Sequence, residues 1–481
     1  METLSEVELS SNSYDRFNTL LGMDDFRCSR AALARCARKM QHRKLWNVNS
    51  TASGGGVAEL LHSLLPYFRD LGFDVRWLVI KGNSDFYRVT KRLHHALLGE
   101  PRVERPLSEV ERVIYERTLA ENSPELIRRV GSGDVVLLHD PQTIGLAPLL
   151  RVRGATVLWR CHIGTDTPNE YTAQGWRFLA PYVADVDAMV FSRKSLVPQG
   201  LDGSRIWVVA PSIDAFSPKN QELDDRTVKS ILSTAGLVGM KGPADVPPTF
   251  MRSGNTISRV ERSAHVLREV PALDPRRPLV VQISRWDPLK DPVGVIKGFV
   301  NIIDGVDADL MVAGPAMDSV SDDPEDCLAF EQVVSSWKQL PLIYRRRIHV
   351  ALLPTIDQAE NAAIVNALQR HASVVVQKSL KEGFGLTVTE AMWKGRPVVA
   401  SAVGGILDQI KDGDSGLLLE DPVDLVAYGN AVRRLLLDPA FSARLGRQAH
   451  ERVRSQFLSV RQLTQYSDLL CAIDMPETSV A

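Results

Sequence analysis

The sequence predicts an α/β protein built from two doubly wound, parallel-sheet domains. Three observations point there. At 481 residues the chain is too long for one ordinary core. Short apolar runs such as LWNVN, VRWLVI, VVLLH, VVQI and SVVVQ recur along it, separated by stretches with helical periodicity, the alternation of βαβ units. Polar or glycine-rich residues follow several of these runs directly, where open α/β sheets collect ligands. Apolar residues are 44% and charged residues 24%, an ordinary globular composition.

Residues 1–43 read as a polar lead and a basic helix, an N-terminal helical extension packed on the first domain. Residues 44–213 form that domain. Leu45–Asn49 is its first strand, followed by Ser50–Ser53, a glycine turn at Gly54, Gly55 and Gly56, and a helix with Val57, Leu60, Leu61, Leu64, Leu65 and Phe68 on its apolar face. Consecutive glycines do not match a dinucleotide fingerprint. They suit either a tight βα turn or a close backbone approach to an anion. Residues 81–130 read as polar helices, with His94 and His95 pointing in different directions rather than toward a shared metal. Two strands, 134–138 and 157–160, end in loops carrying His139-Asp140 and Cys161-His162. Histidine and carboxylate at adjacent strand ends make Asp140 and His162 candidate site residues. Asp185-Val186-Asp187 and Asp307-Ala308-Asp309 read as solvated turns before apolar strands. Val208–Asp214 closes the domain as its last strand, and the Gly/Pro/Ser-rich stretch within 214–277 reads as linker and loop insertion.

The second domain, 278–455, opens with a strand at 278–283 and then Ser284-Arg285-Trp286-Asp287-Pro288-Leu289-Lys290-Asp291. Arg285 and Lys290 at a strand end can cradle a diphosphate, or form a surface ion pair. The strands 310–315, 348–353 and 373–377 lead to KSLKEGFGLTVTEAMWKGRPVVASAVGG at 378–405. Here Glu382-Gly383-Phe384-Gly385 is a loop able to bend around a ligand, and Leu386 begins a helix that Gly395 ends. Glu382 and Glu390 frame it. One carboxylate could meet a sugar and the other a ribose; the spacing alone also fits a loop-to-helix turn with a capping glutamate. Gly404-Gly405 is a further turn at a strand end. Residues 456–481 carry a last helix.

The string KEGFGLTVTEAMWKGRPV, with Glu382 and Glu390 as an E-x(7)-E pair, resembles retaining GT-B glycosyltransferases of the family 4 type, within the trehalose synthase and trehalose phosphorylase branch. SRWDPLK, WRCHI and PSIDAFSPKN are similar to the same branch. Asp291 stands where many members carry glycine. Gly164-Thr165-Asp166 stands where members place an acidic residue soon after the histidine. The resemblance implies two Rossmann-like domains facing a central cleft, with the last helix crossing back to the first domain. It implies catalytic roles for Arg285, Lys290, Glu382 and His162. Donor binding falls to Gly55, Gly56, Gly383, Phe384, Gly385, Leu386 and Glu390, and acceptor binding to Asn49, Gly54, Asp140 and His162.

The reaction so implied moves glucose from ADP- or UDP-glucose to glucose, giving α,α-trehalose with retention. Alternatives are a phosphorylase using glucose-1-phosphate and a non-catalytic nucleotide-sugar-binding regulator. No cofactor or metal is expected. A net charge of −1 gives no electrostatic case for nucleic acid or anionic membrane. Five scattered cysteines and a start without secretory features suit reduced thiols in the cytoplasm. A homodimer is left open.

Overall fold

The computed structural model describes residues 4–53, 55–100, 105–239, 245–317 and 324–473; the expectation for Gly54 lies outside them. The chain forms two compact units, Met1–Ser212 with Ser459–Ala481, and Ile213–Leu458.

The first unit is built on β1 (Leu4–Glu6), β2 (Lys44–Asn49), β3 (Asp74–Ile80), β4 (Val135–His139), β5 (Thr156–Cys161), β6 (Ala188–Phe191) and β7 (Ile206–Val208). Their order is β1-β3-β2-β4-β5-β6-β7. All pairings are parallel except β1 on β3. The chain steps from β2 outward to β3, then returns to place β4 on the other side of β2. That reversal opens the sheet beyond Asn49 and His139. β4 and β5 are buried along their whole length, because helices cover both faces of a parallel sheet.

The second unit contains β8 (Thr249–Met251), β9 (Ile257–Arg259), β10 (His265–Leu267), β11 (Leu279–Ile283), β12 (Asp309–Pro315), β13 (Ile348–Leu353), β14 (Val374–Gln377), β15 (Val398–Ser401) and β16 (Leu417–Leu419). β8 and β9 pair as a separate hairpin, and the main sheet runs β10-β13-β12-β11-β14-β15-β16. Its order reverses between β11 and β14, which pair in parallel at Val280↔Val374 and Val281↔Val375. Among the described residues no helix is long and apolar enough to cross a membrane.

Four sequence expectations change. The polar lead holds an edge strand: Leu4 is fully buried and β1 pairs antiparallel with β3, Leu4 opposite Ile80. A three-residue strand with one apolar side chain has no period to read. The stretch read as linker and insertion belongs to the second unit's core. Its Asp225–Thr234 helix buries Val228, Ile231 and Leu232, and β10 pairs antiparallel with β13 as a sheet edge. Arg252 bonds Asp357, and Arg262 pairs with Glu360. The second unit therefore starts at Ile213, not 278. The last strand of the first sheet is Ile206–Val208 rather than 208–214. The acidic pairs are solvated only in part: the Asp307 side chain is 83% exposed, but the second member of each pair is engaged. Asp187 accepts the Val157 N–H at 2.7 Å, and Asp309 is buried against Arg277 at 3.2 Å.

The Ser459–Ala472 helix packs on the Met23–Lys39 helix. Tyr466 accepts from Arg160 Nη1 at 3.2 Å, and Arg461 Nη2 donates to the Ala210 carbonyl at 2.8 Å. The tail thus closes the first unit from the far end of the chain.

Candidate active site

In the second unit, β11 and β14 meet at the reversal of strand order, and their loops meet beyond it. Leu380 N–H donates to the Leu289 carbonyl at 2.7 Å, joining the two loops. Lys290 Nζ then lies 2.7 Å from Glu382 Oε2, with side chains 17% and 9% exposed. Ser379 Oγ donates to the same oxygen at 3.1 Å. Two residues ninety-two positions apart thereby form one neutralised, largely dry pair.

The supports are buried. Trp286 is fully buried, and its Nε1–H donates to the Pro315 carbonyl at 2.8 Å. Asp287 Oδ1 accepts from Leu289 N–H at 2.8 Å, fixing the turn that carries Lys290. Gln282 donates to the Lys290 carbonyl at 2.9 Å. Asp291 adopts φ 48°, accepts from Gly294 N–H at 2.9 Å and takes the fully buried Lys378 ammonium as its ion partner. The glycine-to-Asp departure thus brings a left-handed backbone, which costs a non-glycine residue about 1 kcal/mol or more, together with a carboxylate for Lys378.

Arg285 is not drawn into the pair. Its guanidinium side chain is 61% exposed and leans on Asp287 at 3.3 Å. Gly383 faces open space, since a Cβ there would meet nothing within 4 Å. Gly385, at φ 82°, turns the chain into the Leu386–Trp393 helix, whose start carries no side-chain cap. Elsewhere Asn83, Ser108, Asn169, Asp357 and Asp424 fill that role. The free N–H groups and the helix dipole at residue 386 make a seat for an anion. Phe384 is packed inward, its ring 6.0 Å from that of Phe457. Glu390 is buried on the same helix, 3.6 Å from Lys219 Nζ. Lys394 beside it donates to Asn220 Oδ1 at 3.0 Å, and burial holds its pKa well below the usual lysine range.

In the first unit, Gly55 adopts φ 81° and opens the Gly56–Asp70 helix, which also starts without a side-chain cap. Neither Gly55 nor Gly56 has a neighbour where a Cβ would sit. Asn49 is spent internally: it accepts from Trp77 Nε1 at 2.7 Å and donates to the Thr51 carbonyl at 2.7 Å. It shapes the turn after β2 rather than presenting its amide outward.

Asp140 and His162 do come together. Asp140, at φ 60°, accepts the His162 backbone N–H at 2.8 Å. Burial pushes its pKa up to about 7, against the lowering effects of that hydrogen bond and of Arg160. The carboxylate beside His162 is therefore Asp140; Asp166 is instead bound by Arg193 at 2.6 Å and by Ser195. Behind His162 stands His139, 2% exposed, with Nδ1 3.2 Å from His162 Nε2. Burial, reinforced by the Arg160 charge, depresses the pKa of His139 to about 3 and that of His162 well below its ordinary value. Both rings are neutral near pH 7.

Several supporting residues lie outside the set of site residues expected from the sequence. Gly405 N–H donates to the Gly383 carbonyl at 2.9 Å, and Gln409 donates to the Phe384 carbonyl and accepts from Thr389. Ser379, Lys378, His139 and Asn47 belong to the same group. Gly404-Gly405 and His139 sit at strand ends, which is a readable signal. Gln409 lies in a short helix with no motif around it.

The sequence comparisons identify the family. Residues 47–198 match the model of a trehalose synthase N-terminal domain, and residues 265–452 that of glycosyl transferases group 1. A trehalose synthase of Pyrococcus horikoshii is 32% identical over 98% of this chain and 99% of its own. One from Rubrobacter xylanophilus is 34% identical over 90% and 91%. A trehalose phosphorylase of Pleurotus sajor-caju is 26% identical over 78% of this chain and 50% of its own. Among solved structures, a trehalose-6-phosphate synthase superposes with TM-score 0.65 at 13% identity, covering 90% of this chain and 100% of that one. An α,α-trehalose-phosphate synthase of Burkholderia xenovorans gives 0.63 at 16%, covering 89% and 99%. The chain belongs to the trehalose synthase family, as a GT-B glycosyltransferase of the branch that also holds the trehalose phosphorylases.

Proposed function

We propose that the protein transfers glucose from ADP- or UDP-glucose to the anomeric hydroxyl of free glucose, with retention, to give α,α-trehalose. The observation that carries this is the Lys290–Glu382 pair, 2.7 Å apart where the strand order of the second sheet reverses. Breaking the bond between the anomeric carbon and the phosphate oxygen builds negative charge on the departing diphosphate. Lys290 would leave Glu382 to meet that charge, and the uncapped N-terminus at Leu386, with Gly383 and Gly385 before it, adds backbone donors. Arg285, exposed and held among the described residues by Asp287, would swing onto the same phosphates. Released from the lysine, Glu382 accepts from a sugar hydroxyl, and Glu390 from the ribose.

Gly55 and Gly56 offer a second close-approach turn at an uncapped helix. His162 would hold a hydroxyl of either sugar, beside Asp140. The leaving phosphate takes the acceptor's proton on the face it departs from, which keeps the α configuration. Charge stabilisation by side-chain and backbone donors makes a divalent metal unnecessary in this scheme. Full-length relatives named trehalose synthases, 32–34% identical, favour the synthase over the phosphorylase direction.

The test is a screen of each nucleotide-glucose, and of glucose-1-phosphate, against a panel of acceptors, with product linkage read by NMR. An α,α-linked disaccharide from a nucleotide-glucose and glucose is the expected product. A β-linked product, or turnover with glucose-1-phosphate alone, overturns the proposal.

A further inference from the structure

His162 is the side chain that the proposed function sets against a substrate hydroxyl, and the inference here rests on that reading. Behind it runs a buried chain of polar groups. His162 Nε2 lies 3.2 Å from His139 Nδ1, and His139 Nε2 lies 3.1 Å from Asn47 Oδ1. His139 and Asn47 are each 2% exposed. The two rings are near parallel, at 17° with centroids 5.5 Å apart. The Asn47 amide nitrogen has no partner among the described residues, so His139 is what Asn47 addresses.

A neutral imidazole donates from one nitrogen and accepts at the other. The gap between the rings holds one proton, so the tautomer of either ring dictates that of its neighbour. Asn47 presents its carbonyl oxygen to His139 Nε2. That nitrogen must then carry the proton, which leaves His139 Nδ1 as the acceptor facing His162. His162 donates from Nε2, and its Nδ1 is left bare, with no protein partner among the described residues. Asp140 holds the His162 backbone at 2.8 Å, fixing where the ring sits; the chain behind it fixes which nitrogen is protonated.

We infer that His139, directed by Asn47, is a positioning residue that locks His162 in the tautomer whose free Nδ1 accepts a hydrogen bond from a substrate hydroxyl. The arrangement favours a donor hydroxyl over an acceptor group such as a carbonyl oxygen. It also ties Asn47, a residue on β2, to the site.

The experiment is long-range proton–nitrogen NMR on the full chain with nitrogen-labelled histidine, the His162 signals assigned by their loss in His162→Gln. In the wild type, His162 is expected as a single tautomer protonated at Nε2. His139→Phe keeps a ring and removes the nitrogens; Asn47→Leu keeps His139 and removes its director. Both should convert His162 to a mixture of tautomers. Both should also lower kcat by roughly tenfold or more, with the donor KM unchanged. His139→Gln, whose amide oxygen can still accept from Nε2–H, should restore part of the turnover. A wild-type His162 protonated at Nδ1 overturns the inference, and so does an unaltered tautomer in whichever of the two variants folds. The NMR measurement needs no turnover. A wild type that forms no glycoside from any donor therefore sinks the proposed function, while the tautomer still decides this inference.

Discussion

Replacing Lys290 by alanine strips Glu382 of an ammonium 2.7 Å away, and the size of the loss follows from the burial of the two groups. Their side chains are 17% and 9% exposed. Breaking a fully buried ion pair by removing one partner costs about 3–5 kcal/mol, because the remaining charge is left desolvated. Here Ser379 still donates to Glu382 Oε2 at 3.1 Å and some water reaches both groups. The stability cost should therefore fall to about 2 kcal/mol. The catalytic cost is separate. Losing a preorganised cation aimed at a leaving phosphate removes about 3 kcal/mol of transition-state stabilisation, roughly a hundredfold in kcat. Glu382→Gln in the Lys290→Ala background removes the stranded charge and should recover part of the stability, with a coupling of about 1 kcal/mol or more between the two changes. It should not recover kcat. The assay pairs denaturant midpoints for the four proteins of this cycle with steady-state kinetics on the best donor. Lys290→Ala turning over at the wild-type rate would refute the reasoning, and so would recovery of kcat in the double variant.

Five further outcomes are expected. A Cβ at Gly404 would lie 1.7 Å from the Glu382 carbonyl oxygen, and one at Gly405 would lie 2.6 Å from Phe384 Cα; alanine at either should displace the Glu382 loop, costing about 1–3 kcal/mol and most of the turnover. Gly383→Ala should instead fold as the wild type and show its effect in donor KM. Asp140 titrates near 7 folded against 3.8 unfolded, so the folded state binds the extra proton between these values. Its contribution is present below pH 4 and is lost as pH rises through 7. Asp140→Asn should then be more stable than wild type above neutrality, by on the order of 2 kcal/mol after screening, with the gap closing toward pH 4 in denaturant titrations. Asp291→Gly relieves the φ of 48° but leaves the buried Lys378 without its carboxylate; a net loss of about 2 kcal/mol is expected, largely recovered in Asp291→Gly/Lys378→Met. Incubation with a chelator should leave turnover unchanged, as activity assays before and after desalting will read.

Much of this molecule is legible in its sequence. Short apolar runs between helical stretches placed the strands, since a parallel sheet covered on both faces needs side chains apolar in both directions. The glycine turns before residues 56 and 386 stand out for an equally local reason: each requires a positive φ, at Gly55 and Gly385. The loops carrying Lys290, Glu382, Asp140 and His162 follow from standing at strand ends. What stayed hidden was of two kinds. Edge strands β1 and β10 have three residues each, too few for a period, and they form only because a sheet edge offers unpaired backbone groups.

The second kind is pairing over long separations. Lys290 meets Glu382 but Arg285 does not; Asp140 rather than Asp166 stands beside His162; Asn49 turns inward to Trp77 while Asn47 directs His139. Composition and spacing select residues able to do the chemistry. Which of them touch depends on strand order and on where desolvation makes an unpaired polar group too costly to leave alone, and those are properties of the folded units, not of any stretch of the chain.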